Sequence, residues 1–178
     1  MKAIETERLL LRPPLESEAE AMLAIRNSDF VQKYNAMRPY TVEQMRTQLV
    51  KERERDCVLY IIQKAERKLI GGIWVEPDEA RYDVKSKYLS YYLDEPYARK
   101  GYMKEALGAV IHELFSSDPE MEVLASSVFS ENTASERLLR ALGFTCEGCI
   151  RRAVRDPKGV VHDDVQFSLL REEWEKQS

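Results

Sequence analysis

Apolar residues recur along this chain in two rhythms. Met103, Ala106, Leu107, Val110, Ile111, Leu114 and Phe115 fall on one stripe of a helix. Shorter stripes predict three more helices: Leu15, Ala19, Met22 and Leu23; Val42, Met45, Leu49 and Val50; Ala134, Leu138, Ala141 and Leu142. Ser17 with Glu20, Thr41 with Gln44, and Thr133 with Glu136 have the spacing of capping boxes at their starts, and the second of these helices is expected to run to about Arg55. Gly143 is placed to close the last one, with Phe144 as its apolar contact. The other rhythm is short, apolar and β-branched. It predicts strands at 8–12 (stopped by Pro13 and Pro14), 57–63, 69–75, 88–93, 123–128, 145–152 and 160–170. Residues 64–68 read as a hairpin turn, 76–87 as a polar acidic loop, and Asp156, Pro157, Lys158 and Gly159 as a turn. Helices separate strands in the second half, and hairpins dominate elsewhere. The fold class is therefore α/β (α+β mixed), with a central mixed, largely antiparallel sheet of six to seven strands and helices on both faces.

The chain has 178 residues and 20.7 kDa. That suits one domain, residues 1–178, with no internal repeat or linker. A net charge of −4 argues against a nucleic-acid partner, and no apolar run approaches the ~20 residues that span a bilayer. The first twelve residues lack the apolar segment of a signal peptide. Three cysteines make an odd count, which argues for a reducing compartment, the cytoplasm, rather than a disulfide framework.

The most informative segment is strand, basic glycine turn, helix: Tyr92 and Leu93 lead into Ala98, Arg99, Lys100, Gly101, Tyr102, Met103 and Lys104. A helix start presents unpaired N–H groups and the positive end of a dipole. Basic side chains and a residue without Cβ beside it make an anion site, best suited to phosphate. Asn132 and Ser135 lie within one turn at the start of a second helix, near the first site by the rule that ligands favour the carboxyl ends of strands; Asn132 also suits a simple N-cap. Cys146 and Cys149 form a C-x-x-C without partner spacing for zinc, and read as small core thiols. His112 reads as a helix-flank residue. His162, Asp163 and Asp164 read as a solvated strand start, with acid–base chemistry as the other reading.

Together these motifs resemble the GNAT superfamily of acetyl-CoA-dependent N-acetyltransferases, most of all the branch of the ribosomal-protein N-terminal acetyltransferases RimJ and RimL. The resemblance is carried in family order by Glu7 to Arg12, Leu89 to Leu93, Lys100-Gly101-Tyr102 with Glu105-Ala106, Asn132 and Ser135 with Gly143-Phe144, Asp164-Val165, Ser168 to Leu170, and Glu173-Trp174. The chain departs from the family at Ala98, Arg99 and Met103 in the phosphate loop. The bulk of Met103 would crowd the phosphate. Leu139 stands where many relatives carry a tyrosine that acts as general acid.

The resemblance implies direct transfer from acetyl-CoA to a primary amine in a ternary complex, with no metal. Pantetheine would pair near Tyr92 and Leu93, and the pyrophosphate would sit on Arg99 to Lys104. Asn132 and Ser135 would act at the transfer step or in holding the cofactor's thiol end, Asn132 being also a cofactor-binding residue, and Ser135 or water would replace the missing tyrosine. The proton acceptor would be water relayed to Glu76, Asp78 or a backbone carbonyl, with Glu105 more a dipole or packing partner than a base. The expected acceptor is a ribosomal or other protein N-terminus, and the expected state is monomer or homodimer. An α-amine of pKa about 7.8 costs roughly 1 kcal/mol to deprotonate at pH 7, a lysine nearly 5. A small-amine acetyltransferase (polyamine, amino acid or aminoglycoside) and a non-catalytic acyl-CoA-binding protein are the alternatives. The acidic 76–83 stretch would suit a polycation.

Overall fold

The computed structural model describes residues 1–176. They form strands β1 (Ile4–Glu5), β2 (Leu9–Arg12), β3 (Val58–Gln63), β4 (Lys68–Pro77), β5 (Ser86–Leu93), β6 (Val123–Phe129), β7 (Thr145–Arg155) and β8 (Val161–Leu170). The helices are α1 (Ala19–Arg26), α2 (Asp29–Gln32), α3 (Val42–Arg55), α4 (Tyr102–Ser117), α5 (Thr133–Ala141) and α6 (Arg171–Glu175). The strands hydrogen-bond in the order β1-β2-β3-β4-β5-β6-β8-β7. The β1–β2, β2–β3, β3–β4, β6–β8 and β7–β8 pairs are antiparallel, while β5 and β6 run parallel across the α4 connection. The sheet is mixed and largely antiparallel as expected, with eight strands instead of six or seven. The added strand, β1, has two residues, too few to show a period.

The chain falls into two compact units. One comprises Met1–Lys33, Arg38–Val75 and Tyr91–Val110; the other comprises Tyr34–Met37, Glu76–Ser90 and the residues from Ile111 onward.

In the first unit Leu9, Leu11, Leu59, Ile61, Ile70 and Ile73 are fully buried, with Met22 of α1 and Met45 and Leu49 of α3. Thr41 caps α3 as its sequence implies: Thr41 N donates to Gln44 Oε1 at 2.8 Å and Gln44 N to Thr41 Oγ1 at 3.3 Å. The buried stripe of α3 differs from the expected one. Val50 is exposed, and Glu52 occupies the inner position three residues after Leu49. A carboxylate is tolerated there because Oε1 accepts from Trp74 Nε1 at 2.9 Å and Gln48 Nε2 at 3.0 Å; burial still raises its carboxyl above the ordinary range. The expected box at Ser17 and Glu20 does not form. Glu18 accepts from Leu15 N at 2.8 Å and pairs with Arg12 at 2.6 Å, so the chain enters α1 through a 3₁₀ turn, Glu16–Glu18.

In the second unit Leu124, Phe167 and Leu169 are buried with Phe115 of α4. Arg171 closes the end of α4: its guanidinium donates to the carbonyls of Phe115 (2.9 Å), Asp118 (2.5 Å) and Met121 (2.8 Å). The expected loop 76–87 is shorter, since β4 continues to Pro77 and β5 begins at Ser86. Strand β7 ends the sheet order and is exposed along most of its length. Two irregularities break its pairing with β8, one between Cys146 and Gly148 and one between Ile150 and Val154. At the second, Arg152 has φ +54° and its N–H donates to Asp163 Oδ1 at 2.6 Å.

Candidate active site

The expected phosphate loop lies in the first unit and keeps its main features. Pro96 sits in a short 3₁₀ turn, Glu95–Tyr97, after which Arg99 (φ +60°) and Gly101 (φ +81°) carry the chain into α4. A side chain at residue 101 would be strained by its φ, and its Cβ would lie 3.3 Å from Arg8 Nη2. The first inward bond of the helix is Glu105 N to Gly101 O at 3.0 Å. The amides of Tyr102, Met103 and Lys104 precede it and belong to the turn whose donors a helix leaves open. Arg99, Lys100 and Lys104 are exposed. Open N–H donors, basic side chains and a glycine that brings the backbone close fit a pyrophosphate.

Met103 follows its place on the apolar stripe and not the crowding that its bulk suggests. It is buried, continuous with Ala106, Leu107 and Val110 on the apolar face of α4, so its bulk turns into the core and leaves the helix start clear. Tyr92 and Leu93 are also buried. The Tyr92 ring packs on Trp74 at 4.6 Å between centroids, and its hydroxyl donates to Met22 Sδ at 3.4 Å. The Tyr92 side chain is committed to the core. The Tyr92 backbone runs against β4: Asp94 N donates to Ile70 O at 2.7 Å, and a Cβ at Gly71 would meet Tyr92 O at 2.3 Å.

Arg8 is the site residue the sequence reading did not assign. Its Nη1 donates to Lys100 O at 3.0 Å, and its guanidinium lies over the Tyr102 ring at 4.5 Å. Glu105 holds it through Oε2 at 2.6 Å, while Oε1 accepts from Thr6 Oγ1 (2.6 Å) and Arg8 N (2.9 Å). Burial alone would raise the Glu105 carboxyl, but these hydrogen bonds together keep it below the ordinary carboxylate range. Glu105 is thus a strut that ties Thr6 and Arg8 to the start of α4. Lys68 and Lys100 place their ammonium groups 5.1 and 5.6 Å from the Tyr97 ring centre, adding positive charge near the loop. Tyr97 is hydrogen-bonded to Glu66, which pushes its phenol up to about 12.

Asn132 and Ser135 lie in the second unit. Asn132, and not Thr133, caps α5: its Oδ1 accepts from Ser135 N at 3.2 Å, while Glu136 pairs with Arg140 at 3.0 Å. The inner face of α5 is also rotated from the expected stripe. Leu139 is buried, Ser135, Leu138 and Leu142 are half-buried, and Ala134 and Ala141 are exposed. Ser135, one turn before Leu139, therefore borders the inward face with its hydroxyl free of any capping duty. Gly143 (φ +89°) closes the helix as expected: Phe144 N donates to Leu139 O at 3.0 Å and Gly143 N to Arg140 O at 3.1 Å.

Of the expected proton acceptors, Asp78 is committed to Arg81 at 2.7 Å and Glu76 is exposed. The cysteines are not core thiols. Cys149 is exposed and Cys146 half-buried, because β7 lies at the open edge of the sheet; Cys57, just before β3, is half-buried as well. Among the described residues no group of three or more His, Cys, Asp and Glu is placed to hold a metal ion. His112 is exposed, as a helix-flank residue. His162 is not solvated: its ring stacks on Phe129 at 4.4 Å, with Glu131 and Asp156 each 3.5 Å from its nitrogens.

A basic turn that carries a strand into an amide-rich helix start is an arrangement suited to a phosphate-bearing ligand. The family of this chain is narrower. The acetyltransferase (GNAT) domain model matches residues 8–145, well over half of the chain, and the chain belongs to that family of acetyl-CoA-dependent N-acetyltransferases. The SPbeta prophage-derived uncharacterized N-acetyltransferase YokL of Bacillus subtilis is 29% identical over 98% of this chain and 91% of its own. The crystal structure of a GNAT-family acetyltransferase from Bacillus anthracis superposes with a TM-score of 0.85 at 23% identity, covering 96% of this chain and 99% of that one. RimL, the ribosomal L7/L12 α-N-protein acetyltransferase in complex with coenzyme A, superposes with a TM-score of 0.79 at 22% identity over 95% and 98%. At these identities the two structural likenesses establish the fold.

Proposed function

We propose that the chain works as one N-acetyltransferase domain that moves the acetyl group of acetyl-CoA onto the α-amine of a protein N-terminus, of ribosomal-protein type. The observation that carries this is the clear helix start of α4: Gly101 at φ +81°, open N–H groups ahead of Glu105, and Met103 folded inward. Acetyl-CoA supplies an activated acyl group on a thiol that must leave with a proton. The amides of residues 99–104 hold its pyrophosphate, with Arg99, Lys100 and Lys104 supplying charge. The backbone of Tyr92 and Leu93 accepts the pantetheine arm. Asn132 orders the start of α5, and Ser135 donates a hydrogen bond, then a proton, to the leaving sulfur. An α-amine needs about 1 kcal/mol to deprotonate at pH 7, whereas a lysine needs nearly 5. The likeness to RimL supports the same class of acceptor.

The polycation reading keeps only part of its support, the exposed Glu76, Glu79 and Asp83. Asp78 of the acidic stretch is neutralised by Arg81, which also binds Glu147 at 3.0 Å.

The test is a thiol-release assay with acetyl-CoA over three acceptor sets: peptides with free N-termini, the same peptides blocked at the N-terminus but carrying lysine, and polyamines with aminoglycosides. Turnover confined to the first set, with the acetyl group located on the α-amine by mass spectrometry, is the expected result. Turnover confined to the third, or cofactor binding with no turnover on any set, overturns the reading.

A further inference from the structure

Three side chains of the second unit form a chain of hydrogen bonds on one face of the sheet. Tyr88 stands on β5, Ser127 on β6 and Asp164 on β8. Tyr88 is paired with Ala125 and Ser127 with Gln166; residues two apart on a strand share a face, so all three project to the same side. Tyr88 Oη lies 2.6 Å from Ser127 Oγ. Ser127 is also hydrogen-bonded to Asp164, whose Oδ2 accepts from Gln166 Nε2 at 2.7 Å. An ionised carboxylate can only accept, so Ser127 donates to Asp164 and Tyr88 donates to Ser127. The chain therefore has a direction: the Tyr88 phenol at one end, a carboxylate at the other.

We propose that Tyr88, Ser127 and Asp164 form the proton acceptor for the attacking amine, with Tyr88 Oη touching the amine and Asp164 receiving the proton. This role rests on the acetyl-transfer reading above. The step balances. The amine N–H bond breaks toward Tyr88 Oη as the phenol proton passes to Ser127 Oγ and the serine proton to Asp164. The freed nitrogen pair forms the bond to the acetyl carbon, the carbon–sulfur bond breaks, the sulfur leaves with the proton supplied by Ser135, and the second nitrogen proton returns to Ser135 Oγ. Tyr88 is the catalytic residue; Ser127 and Asp164 act through it.

The neighbouring carboxylates of this unit are differently engaged. Asp163 holds Arg152 N, Asp78 and Glu147 hold Arg81, and Asp156 accepts from Lys158 N and Val160 N in the turn. Asp164 meets only neutral partners in the hydroxyl of Ser127 and the amide of Gln166. A cationic partner would acidify a carboxylate and weaken it as a base. Here burial is the largest influence and raises the Asp164 carboxyl.

The test compares wild type with Asp164→Asn, Tyr88→Phe and their double variant, using acetyl-CoA and a peptide with a free N-terminus. At pH 7, kcat falls about 10²-fold in each single variant, the contribution typical of a general base, while the KM for acetyl-CoA and its thermal stabilisation stay within twofold of wild type. The double variant is no slower than the worse single one, because the groups act as one chain. The Asp164→Asn defect shrinks below tenfold at pH 9.5, where the amine is already neutral, and Asp164→Glu recovers part of the loss. The charged groups facing the chain, Glu76 beside Tyr88 and His162 two residues along from Asp164 with Glu131 and Asp156 behind it, are common to all variants and cancel in the ratio. Activity within twofold of wild type, a defect constant from pH 6.5 to 9.5, or multiplying single effects overturns the role. A wild type that acetylates no α-amine overturns the proposed function itself, whereas an active wild type with an unaffected Asp164→Asn overturns only this role.

Discussion

The Arg8 guanidinium is held 2.6 Å from Glu105 Oε2 while its other arm reaches the carbonyl of Lys100. One carboxylate of α4 thereby fixes the residue that braces the turn before the same helix. Because the folded Glu105 carboxyl lies below its unfolded value of about 4.3, it contributes stability that is full above that pH and is lost as pH falls through the lower, folded value. Glu105→Gln should cost about 1–2 kcal/mol at pH 7. In urea titrations the gap to wild type should close as the pH drops below about 4. A gap unchanged down to pH 2.5 would contradict the network.

Gly101→Glu should weaken acetyl-CoA binding more than tenfold by calorimetry, since it forces a side chain onto φ +81° and sets a negative charge at the helix start. Lys104→Ala removes one exposed charge and should cost less than fivefold. Similar small losses from both would place the phosphate elsewhere.

Met103→Ala should behave as a core truncation. A loss of about 2–3 kcal/mol in thermal or urea melts is expected, with acetyl-CoA affinity, corrected for folded fraction, within threefold of wild type. Tighter cofactor binding on truncation would show that Met103 does crowd the ligand.

Ser135→Ala should lower kcat more than it raises the KM for acetyl-CoA, and should leave stability within about 0.5 kcal/mol, because only the Ser135 amide serves the cap. Asn132→Ala, by contrast, should cost about 1 kcal/mol of stability. Unchanged kcat in Ser135→Ala would remove it from the transfer step.

Replacing Cys146 and Cys149 together by serine should preserve activity and melting temperature, since β7 leaves Cys149 exposed and Cys146 only half-buried. Stoichiometric zinc in the wild type, by elemental analysis, would contradict this.

Much of the fold was legible because its signals are local. The Thr41–Gln44 box, the glycine closing α5 and the apolar stripe of α4 each follow from a few neighbouring residues. What stayed hidden depends on distant partners. Glu18 abandons a cap for Arg12, and Glu52 displaces Val50 inward because Trp74, on another element, offers an N–H. The rotation of α5 escapes a purely apolar count because its inner face includes Ser135, a polar residue. In the site, the glycine turn announced itself, whereas Arg8 lies 97 positions from Glu105 and carries no spacing that links them. Tyr88, Ser127 and Asp164 are similarly scattered, and only strand register brings them into line.

Strand β7 has one further consequence, for behaviour at high concentration. An open terminal strand is a template on which another chain can add, and a flat one invites fibrous assembly. Here two irregularities kink the strand, and Arg151, Arg152 and Arg155 stand exposed along it. A second molecule would have to match a broken register while bringing like charges together. The protein should therefore stay dispersed without a covering segment over that edge, and straightening the kink at Arg152 should be the quickest way to make it aggregate.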